Sequence, residues 1–201
     1  MFKKIVLTAI VMVSFLAVEV QAAIPEDVIK ENIVKHSVEM GVDPALALSI
    51  AKKESGFKHE LKSPYGAVGV FQLLPSTAKK LGYNPYYLNE NIKAGLTYYK
   101  MMYKMFGSTE LALAAYNAGP GNVKKYGGTI PPYKETRRFV NVIMQDYKNQ
   151  KLAPDPAIAK YSKKAAIDKE TEIQKQQASV DLPDLKEIPE TRQEETSMEI
   201  L

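Results

Sequence analysis

The sequence predicts a mainly α fold, with one compact helical domain followed by a charged C-terminal tail. Apolar residues recur three and four positions apart in segments that begin near Pro, Asp or Ser and stop at Gly, as amphipathic helices do. No segment alternates apolar and polar residues for long enough to predict a sheet. We therefore expect three parts, at residues 1–22, 23–150 and 151–201.

The helices of the central part are expected between clear start and stop signals. Asp43 followed by Pro44 is a strong helix start, and Asn89 is expected to cap a longer helix. Residues 57–74, with Gly66 and Gly69, predict a structured loop or a small β-rich excursion. The expected helices run from Pro25 to Gly41, Ala45 to Glu54, Pro75 to Gly82, Asn89 to Gly107, Ser108 to Asn117 and Glu135 to Tyr147.

Residues 1–22 are expected to be a cleaved secretory signal peptide. Lys3 and Lys4 precede an apolar run from Ile5 to Val18, and the small residue Ala22 suits cleavage before Ala23. The run has 14 residues, whereas a membrane-spanning helix needs about 20. A retained anchor is the less favoured alternative. We expect an exported protein with no membrane span after cleavage.

Charge is unevenly distributed between the body and the tail. Residues 23–150 contain 17 basic and 11 acidic side chains, whereas residues 151–201 contain 8 and 11. A basic body favours a polyanionic partner, either the cell wall with its peptide carboxylates or nucleic acid, although an ordinary mixed surface accounts for it equally well. The tail is rich in charge, Gln and Pro, so we expect little packed structure beyond a transient helix at 157–177.

Glu54 draws attention because it lies in the last turn of a helix made largely of small apolar residues. A negative charge there faces the negative end of the helix dipole, and shelter by Phe57 and Phe71 would desolvate it. Both effects raise a carboxyl pKa, which suits an acid that protonates a glycosidic oxygen. On position alone, an ordinary exposed glutamate beside Lys52 and Lys53 is the favoured interpretation.

Five sequence blocks reverse that preference, because in order and spacing they resemble the catalytic domain of the soluble lytic transglycosylases. The resemblance covers about residues 27–147, and it implies the compact lysozyme-like fold, with a glycan-binding groove, that goose-type lysozymes share. The chain departs from the usual pattern at Val70 and Phe71, where Leu and Met are usual, and at Phe139, where Tyr is usual. The blocks are residues 51–57, 63–78, 91–95, 114–120 and 135–140.

The resemblance also implies which residues form the site. Glu54 matches the family's catalytic glutamate, and Tyr116 matches a tyrosine close to the catalytic carboxyl. Ser63 and Gln72 match polar residues that line the glycan groove. Two further positions are expected to shape the site or its edge and so to contact substrate: Asn117 and Glu135.

By resemblance, the chain is expected to be a periplasmic peptidoglycan lytic transglycosylase that cleaves the MurNAc–GlcNAc β-1,4 bond and leaves 1,6-anhydro-MurNAc ends. One glutamate acts first as acid and then as base, so no second carboxylate is required. A lysozyme-type muramidase on the same fold is the nearest alternative. A non-catalytic peptidoglycan-binding protein is another, disfavoured by the presence of Glu54, Gln72 and Tyr116. The tail suggests recruitment to a secretion or conjugation apparatus, or a simple linker.

No metal, cofactor or nucleic-acid partner is expected. The only histidines, His36 and His59, are 23 positions apart, lack paired carboxylates at ligand spacing, and are expected to be surface or groove residues. Tyr98, Tyr99 and Tyr103 have helical spacing, which fits core packing better than a platform for stacking nucleic-acid bases. Peptidoglycan glycan strands therefore remain the expected partner.

Overall fold

The computed structural model describes residues 23–180, which fold as eight α-helices. The expected signal peptide at 1–22 and the last part of the tail, 181–201, lie outside the described residues. Within the described range no strand is formed, and no helix is long and apolar enough to cross a membrane. The helices are α1 Glu26–Glu39, α2 Pro44–Ser55, α3 Pro75–Lys80, α4 Leu88–Phe106, α5 Thr109–Ala118, α6 Pro120–Lys125, α7 Lys134–Leu152 and α8 Pro156–Val180.

Two helix starts have the side-chain caps that their sequences favour. The Asp43 carboxylate accepts a hydrogen bond from the Ala45 amide, and the Ser108 hydroxyl accepts one from the Leu111 amide, so each caps a helix start. The expected cap at Asn89 is wrong. Helix α4 begins at Leu88, and its preceding residue Tyr87 makes no side-chain cap bond.

Helix α2 is the centre of the domain. It packs against α1 on one side and α7 on another, while α5 packs against α4, α6 and α7. Seven of its residues from Ala45 to Ala51 are buried, which explains why the segment is built from Ala, Leu, Ile and Ser rather than charged residues. The fully buried large side chains of the core include Ile29, Ile33, Leu48, Ile50, Phe71, Ile92, Leu96, Leu113 and Ile143.

The connection from α2 to α3 is the structured loop that the glycines predict. It contains two isolated antiparallel bridges, Lys62 with Val68 and Val68 with Leu73, and no longer strand. Val68, Val70 and Leu73 are buried, so the loop folds against the domain as part of its core. This packing brings the segment that follows Glu54 back over the end of α2.

Two helices differ from expectation. Helix α6 has no counterpart in the predicted elements; Pro120 occupies the first turn of the helix, where its missing amide costs nothing. Helix α8 contains the expected helix at 157–177, whose residues Ala, Lys, Glu and Gln are good helix formers. It differs from expectation because its start is packed on the domain, with Ala157 buried against the core. Ion pairs from Asp155 to Lys30 and from Lys160 to Glu31 attach the start of α8 to α1.

Candidate active site

The backbone turns sharply directly after Glu54. Helix α2 ends at Ser55, Gly56 has a left-handed φ of 60°, and Phe57 follows with a φ of 64°. A left-handed residue other than glycine is strained, and such strain is concentrated at functional sites. The turn leaves Glu54 in the last helical turn, half-buried beneath the loop that follows.

The Glu54 carboxyl has a strongly perturbed pKa. Burial raises that pKa from 4.5 to about 8, because desolvation disfavours the charged carboxylate. The positive charge of Lys53 opposes this rise, and the negative charge of Glu135 adds to it. Glu54 is therefore mostly protonated at neutral pH and can serve as a proton donor.

Two backbone carbonyls of the loop are hydrogen-bonded to the elements around Glu54. The Ser55 hydroxyl donates to the Val70 carbonyl at 2.9 Å, and the Tyr116 hydroxyl donates to the Phe71 carbonyl at 2.8 Å. The segment from Val70 to Phe71 is thus held between the end of α2 and helix α5. Neither hydroxyl remains free to act as an acid while these hydrogen bonds are formed.

Tyr116 lies deep in the site beside Glu54. Burial raises the pKa of its phenol well above the usual value, and the nearby Glu54 charge raises it further. Its ring centroid is 5.1 Å from that of Tyr98 and 6.5 Å from that of Phe139, which is almost parallel to it. The Lys53 ammonium lies 5.4 Å from the centroid of Phe139. Tyr116 therefore acts as a rigid neutral wall of the site.

The Asn91 side chain binds the backbone of the loop between α2 and α3 through hydrogen bonds. It is fully buried on α4, where its amide group donates to the carbonyls of Val68 and Pro85 and its oxygen accepts from the Phe71 amide. A Cβ atom on Gly69 would lie 2.2 Å from the Asn91 amide nitrogen. The absence of a side chain at Gly69 therefore allows the loop backbone to lie directly against Asn91.

Gly95 leaves the space that Phe71 occupies. A Cβ atom on Gly95 would lie 2.4 Å from the Phe71 ring, which is itself fully buried. The larger Phe71 in place of the family's usual methionine is accommodated directly against the α4 backbone. One helix therefore positions the loop at two points, through Asn91 and through Gly95.

Glu135 and Asn117 enter the site from the other side. Glu135 is exposed in the first turn of α7, close enough to Glu54 to raise the pKa of that carboxyl. Asn117, near the end of α5, accepts a hydrogen bond of 2.8 Å from the Thr136 hydroxyl. This bond fixes the start of α7 against α5, so Asn117 orients the helix that carries Glu135.

Ser63 and Gln72 both use their polar groups within the loop. The Ser63 hydroxyl accepts from the Ala67 amide at 3.0 Å. Gln72 has a left-handed φ of 46°, and its amide nitrogen donates to the carbonyls of Leu61 and Gly69. The observed role of both side chains is to shape the loop, and their contact with a glycan stays a prediction.

The two histidines lie outside this site. His36 is buried rather than on the surface, with its Nδ1 atom 2.8 Å from Glu39 and its Nε2 atom 3.3 Å from Asn89, because α1 and α4 meet there. His59 is half-buried, and its Nε2 donates to the Tyr86 carbonyl. Among residues 23–180, no group of three or more His, Asp or Glu is arranged to hold a metal ion.

A large cavity of about 660 Å³ lies elsewhere, at the opposite end of α2 beside Asp43 and Tyr103. It includes none of the predicted site residues, so its size alone carries no argument for catalysis. The strained turn, the perturbed carboxyl and the buried tyrosine identify the Glu54 end of α2 as the candidate active site.

Comparison with known families identifies the domain that carries this candidate site. The family model described as "Transglycosylase SLT domain" matches residues 31–136, just over half of the chain. This chain belongs to the transglycosylase SLT family. The matched range of the SLT domain runs from α1 into the first turn of α7, and so contains every residue proposed for the site.

Known relatives of this SLT domain are much longer proteins. The soluble lytic murein transglycosylase of Salmonella typhimurium is 34% identical over 52% of this chain and 20% of its own length. The lytic transglycosylase Slt of Pseudomonas aeruginosa, solved as an inactive mutant, has a TM-score of 0.54 and 28% identity over 63% of this chain and 25% of its own. The chain therefore spans about a fifth to a quarter of the length of these relatives.

The fold comparison extends to a second solved relative. The 70 kDa soluble lytic transglycosylase of Escherichia coli superposes with a TM-score of 0.54 and 27% identity, over 64% of this chain and 25% of its own. The mainly α domain of this chain accordingly shares the fold of solved lytic transglycosylases, which confirms the expected fold class.

Sequence reasoning did not assign roles in the site to Ser55 and Asn91, and it expected Tyr98 to pack in the core. Asn91 could have been recognised from the sequence, because it shares a helical face with the apolar Ala94 and Met102. A lone amide on a buried face must find buried hydrogen-bond partners. Ser55 follows the key glutamate directly, but its bond to Val70 depends on how the loop folds back. Only tertiary structure shows that contact.

Proposed function

We propose that this protein is a peptidoglycan lytic transglycosylase that cleaves the MurNAc–GlcNAc β-1,4 bond and forms 1,6-anhydro-MurNAc ends. The observation that carries the proposal is Glu54, a half-buried carboxyl whose pKa is raised to about 8 at the end of α2. An acid of this kind is protonated at physiological pH, which is the form needed to protonate a glycosidic leaving oxygen.

In the proposed reaction, Glu54 gives its proton to the leaving oxygen as the glycosidic bond breaks. The substrate's own N-acetyl group stabilises the positive charge that develops at the anomeric carbon. The Glu54 carboxylate then takes the proton of the MurNAc C6 hydroxyl, whose oxygen bonds to the anomeric carbon and closes the anhydro ring. Because the nucleophile is tethered to the substrate, little positioning entropy opposes this step. No water is consumed, and Glu54 ends protonated again.

The raised pKa suits both halves of this reaction. A carboxyl with a pKa of about 8 stays protonated before the reaction, and after donation its carboxylate is a stronger base than an ordinary glutamate. Glu54 remains in the same position for both steps, held on the rigid end of α2. Tyr116 keeps its phenolic proton on the Phe71 carbonyl, so it supports the site without competing for the transferred proton.

A lysozyme-type muramidase is the second candidate, and Glu135 is the observation that favours it. A hydrolase needs a positioned water and commonly a second carboxylate. Glu135 is exposed and close enough to influence the pKa of Glu54, so it is the available candidate for orienting water. In that reaction the new end of the strand is a reducing sugar.

The deciding experiment is mass spectrometry of muropeptides released from purified sacculi by wild-type protein, Glu54→Gln and Glu135→Gln. Anhydro-ended products that require Glu54 support the transglycosylase. Reducing-end products that require both carboxylates would establish the muramidase instead. Binding to sacculi without release of products by any of the three proteins would indicate a non-catalytic peptidoglycan-binding protein.

We also propose that residues 1–22 direct export to the periplasm and that the tail recruits a secretion or conjugation apparatus. The mass of the mature protein tests cleavage before Ala23. Because Asp155 and Lys160 attach α8 to α1, truncation after Val180 is the cleaner tail deletion. A truncated protein that digests sacculi normally but loses its partner in a pull-down would support recruitment, and loss of digestion would assign the tail to folding or catalysis.

A further inference from the structure

Positive charge is concentrated where α6 meets α7. Residues 119–141 contain five basic side chains and a single acidic one, Glu135, and all five basic side chains are exposed. We refer to these five as the basic corner: Lys124, Lys125, Lys134, Arg137 and Arg138.

Among the described residues, no carboxylate neutralises the cationic side chains of the basic corner, whereas several other lysines of the domain are paired. The paired lysines instead join other elements: Lys30 and Lys160 at the contact of α1 with α8, Lys52 with Asp146 on α7, and Lys151 with Asp43. The positive charge of the corner is therefore available to an external anion.

Contacts between the two helices hold the corner together. The rings of Tyr126 and Tyr133 meet edge to face with centroids 5.7 Å apart, and the Tyr133 hydroxyl donates to Asn122 at 3.1 Å. The bond from Thr136 to Asn117 fixes the same turn of α7 to α5. The cations thus lie on a fixed surface formed by α6 and the start of α7.

Helical geometry places the corner beside the candidate active site. Lys134 and Arg138 lie one and three positions from Glu135, which corresponds to about 1.5 and 4.5 Å along the axis of α7. Thr136 and Phe139 face the core, and at about 100° per residue Lys134 and Arg138 point away from it. Glu135 points to the side, between the direction of the core and that of Lys134 and Arg138. It is close enough to Glu54 to raise the pKa of that carboxyl. The positive surface therefore begins at the edge of the site.

We propose that the basic corner binds the carboxylates of the peptide stems carried by the glycan strand, so that peptide-bearing strands are the preferred substrate. This inference rests on the proposed function. A peptide of three to five residues spans about 10–17 Å, enough to reach from a muramyl residue at Glu54 across the first turn of α7. Arginine suits this role because its guanidinium binds a carboxylate through two parallel hydrogen bonds.

The test compares peptide-bearing glycan strands with the same strands after enzymatic removal of their peptides. The full chain carrying Lys125→Glu and Arg138→Glu is compared with Lys163→Glu and Lys164→Glu, an exposed pair on α8 that changes the net charge equally. We expect the corner variant to lose about ten-fold in kcat/KM on peptide-bearing strands at low salt, mainly through KM. Activity on stripped strands and the activity of the α8 variant are expected to remain unchanged.

An equal loss on both substrates, or no loss on either, would overturn the inference and leave the proposed function intact. Binding of both strand types to the Glu54→Gln protein is measured in parallel, so the inference is tested even if no product is released. A preference for peptide-bearing strands that weakens with salt and is lost when Lys125→Glu and Arg138→Glu are added supports the basic corner as a peptide-stem site; a preference that survives those substitutions contradicts it. Equal binding of the two strand types refutes it.

Discussion

Replacement of Glu54 by Gln is expected to stabilise the protein, and to do so far more at alkaline than at acidic pH. Folding raises the pKa of Glu54 from 4.5 to about 8, so between these values the folded state binds the proton more tightly than the unfolded chain. The free energy of unfolding therefore falls as pH rises through this window. At about 1.4 kcal/mol per pKa unit, the whole shift costs at most about 5 kcal/mol above pH 8.

The same linkage gives the size of the effect at each pH. Relative to a Glu54 that stays protonated, the free energy of unfolding is lowered by about 1 kcal/mol at pH 5 and by about 4 kcal/mol at pH 8. Glutamine does not ionise, so Glu54→Gln avoids this loss. Urea unfolding of both proteins at the two pH values should show Glu54→Gln gaining about 3 kcal/mol on the wild type between pH 5 and pH 8. Glu60→Gln, in the exposed part of the loop, is the matched control. A gain that is equal at both pH values would refute the assignment of a perturbed Glu54.

Three further substitutions and one control, Gly121→Ala, test how the loop is held, all by urea unfolding. Gly95→Ala places a Cβ atom 2.4 Å from the Phe71 ring and should cost about 1–3 kcal/mol; Gly121→Ala, with no atom within 4 Å, should change stability by less than about 1 kcal/mol. Tyr116→Phe removes the donor to the buried Phe71 carbonyl and should cost about 1–3 kcal/mol, and a neutral result would contradict that hydrogen bond. Asn91→Ala leaves the buried Phe71 amide and Pro85 carbonyl unpaired, whereas the Val68 carbonyl keeps the Leu73 amide. It should cost about 2 kcal/mol or more, with faster proteolysis of the loop after α2; unchanged protection would contradict its role.

The expected gain in stability on loss of Glu54 has a functional meaning. A carboxyl that is costly to keep in the fold serves no structural purpose at neutral pH, and Gln of nearly equal size would pack there without the penalty. A role in proton transfer, which needs a raised pKa, explains why an acid is present at this position. The proposed catalytic role and the stability measurement therefore examine the same physical property by independent routes.

Much of the fold was readable from local sequence. Asp43 and Ser108 are good helix caps in any context, and Gly107 ends a helix because a left-handed residue is needed there. Asn89 was misread, because α4 starts one residue earlier without a side-chain cap. The start of α8 was also misjudged, since its anchoring contacts are with α1, more than a hundred residues away in sequence.

The candidate site also combines features that follow from local sequence with features that depend on the tertiary structure. The sequence by itself determined the helical class, the position of Glu54 in the last turn of α2 and the family motifs around it, because capping, periodicity and residue order are local properties. Only the tertiary structure decided the proximity of Glu135, the bond from Tyr116 to Phe71 and the support of the loop by Asn91. These depend on desolvation and on contacts between distant segments, so the pKa of Glu54 follows from how the whole domain packs around it.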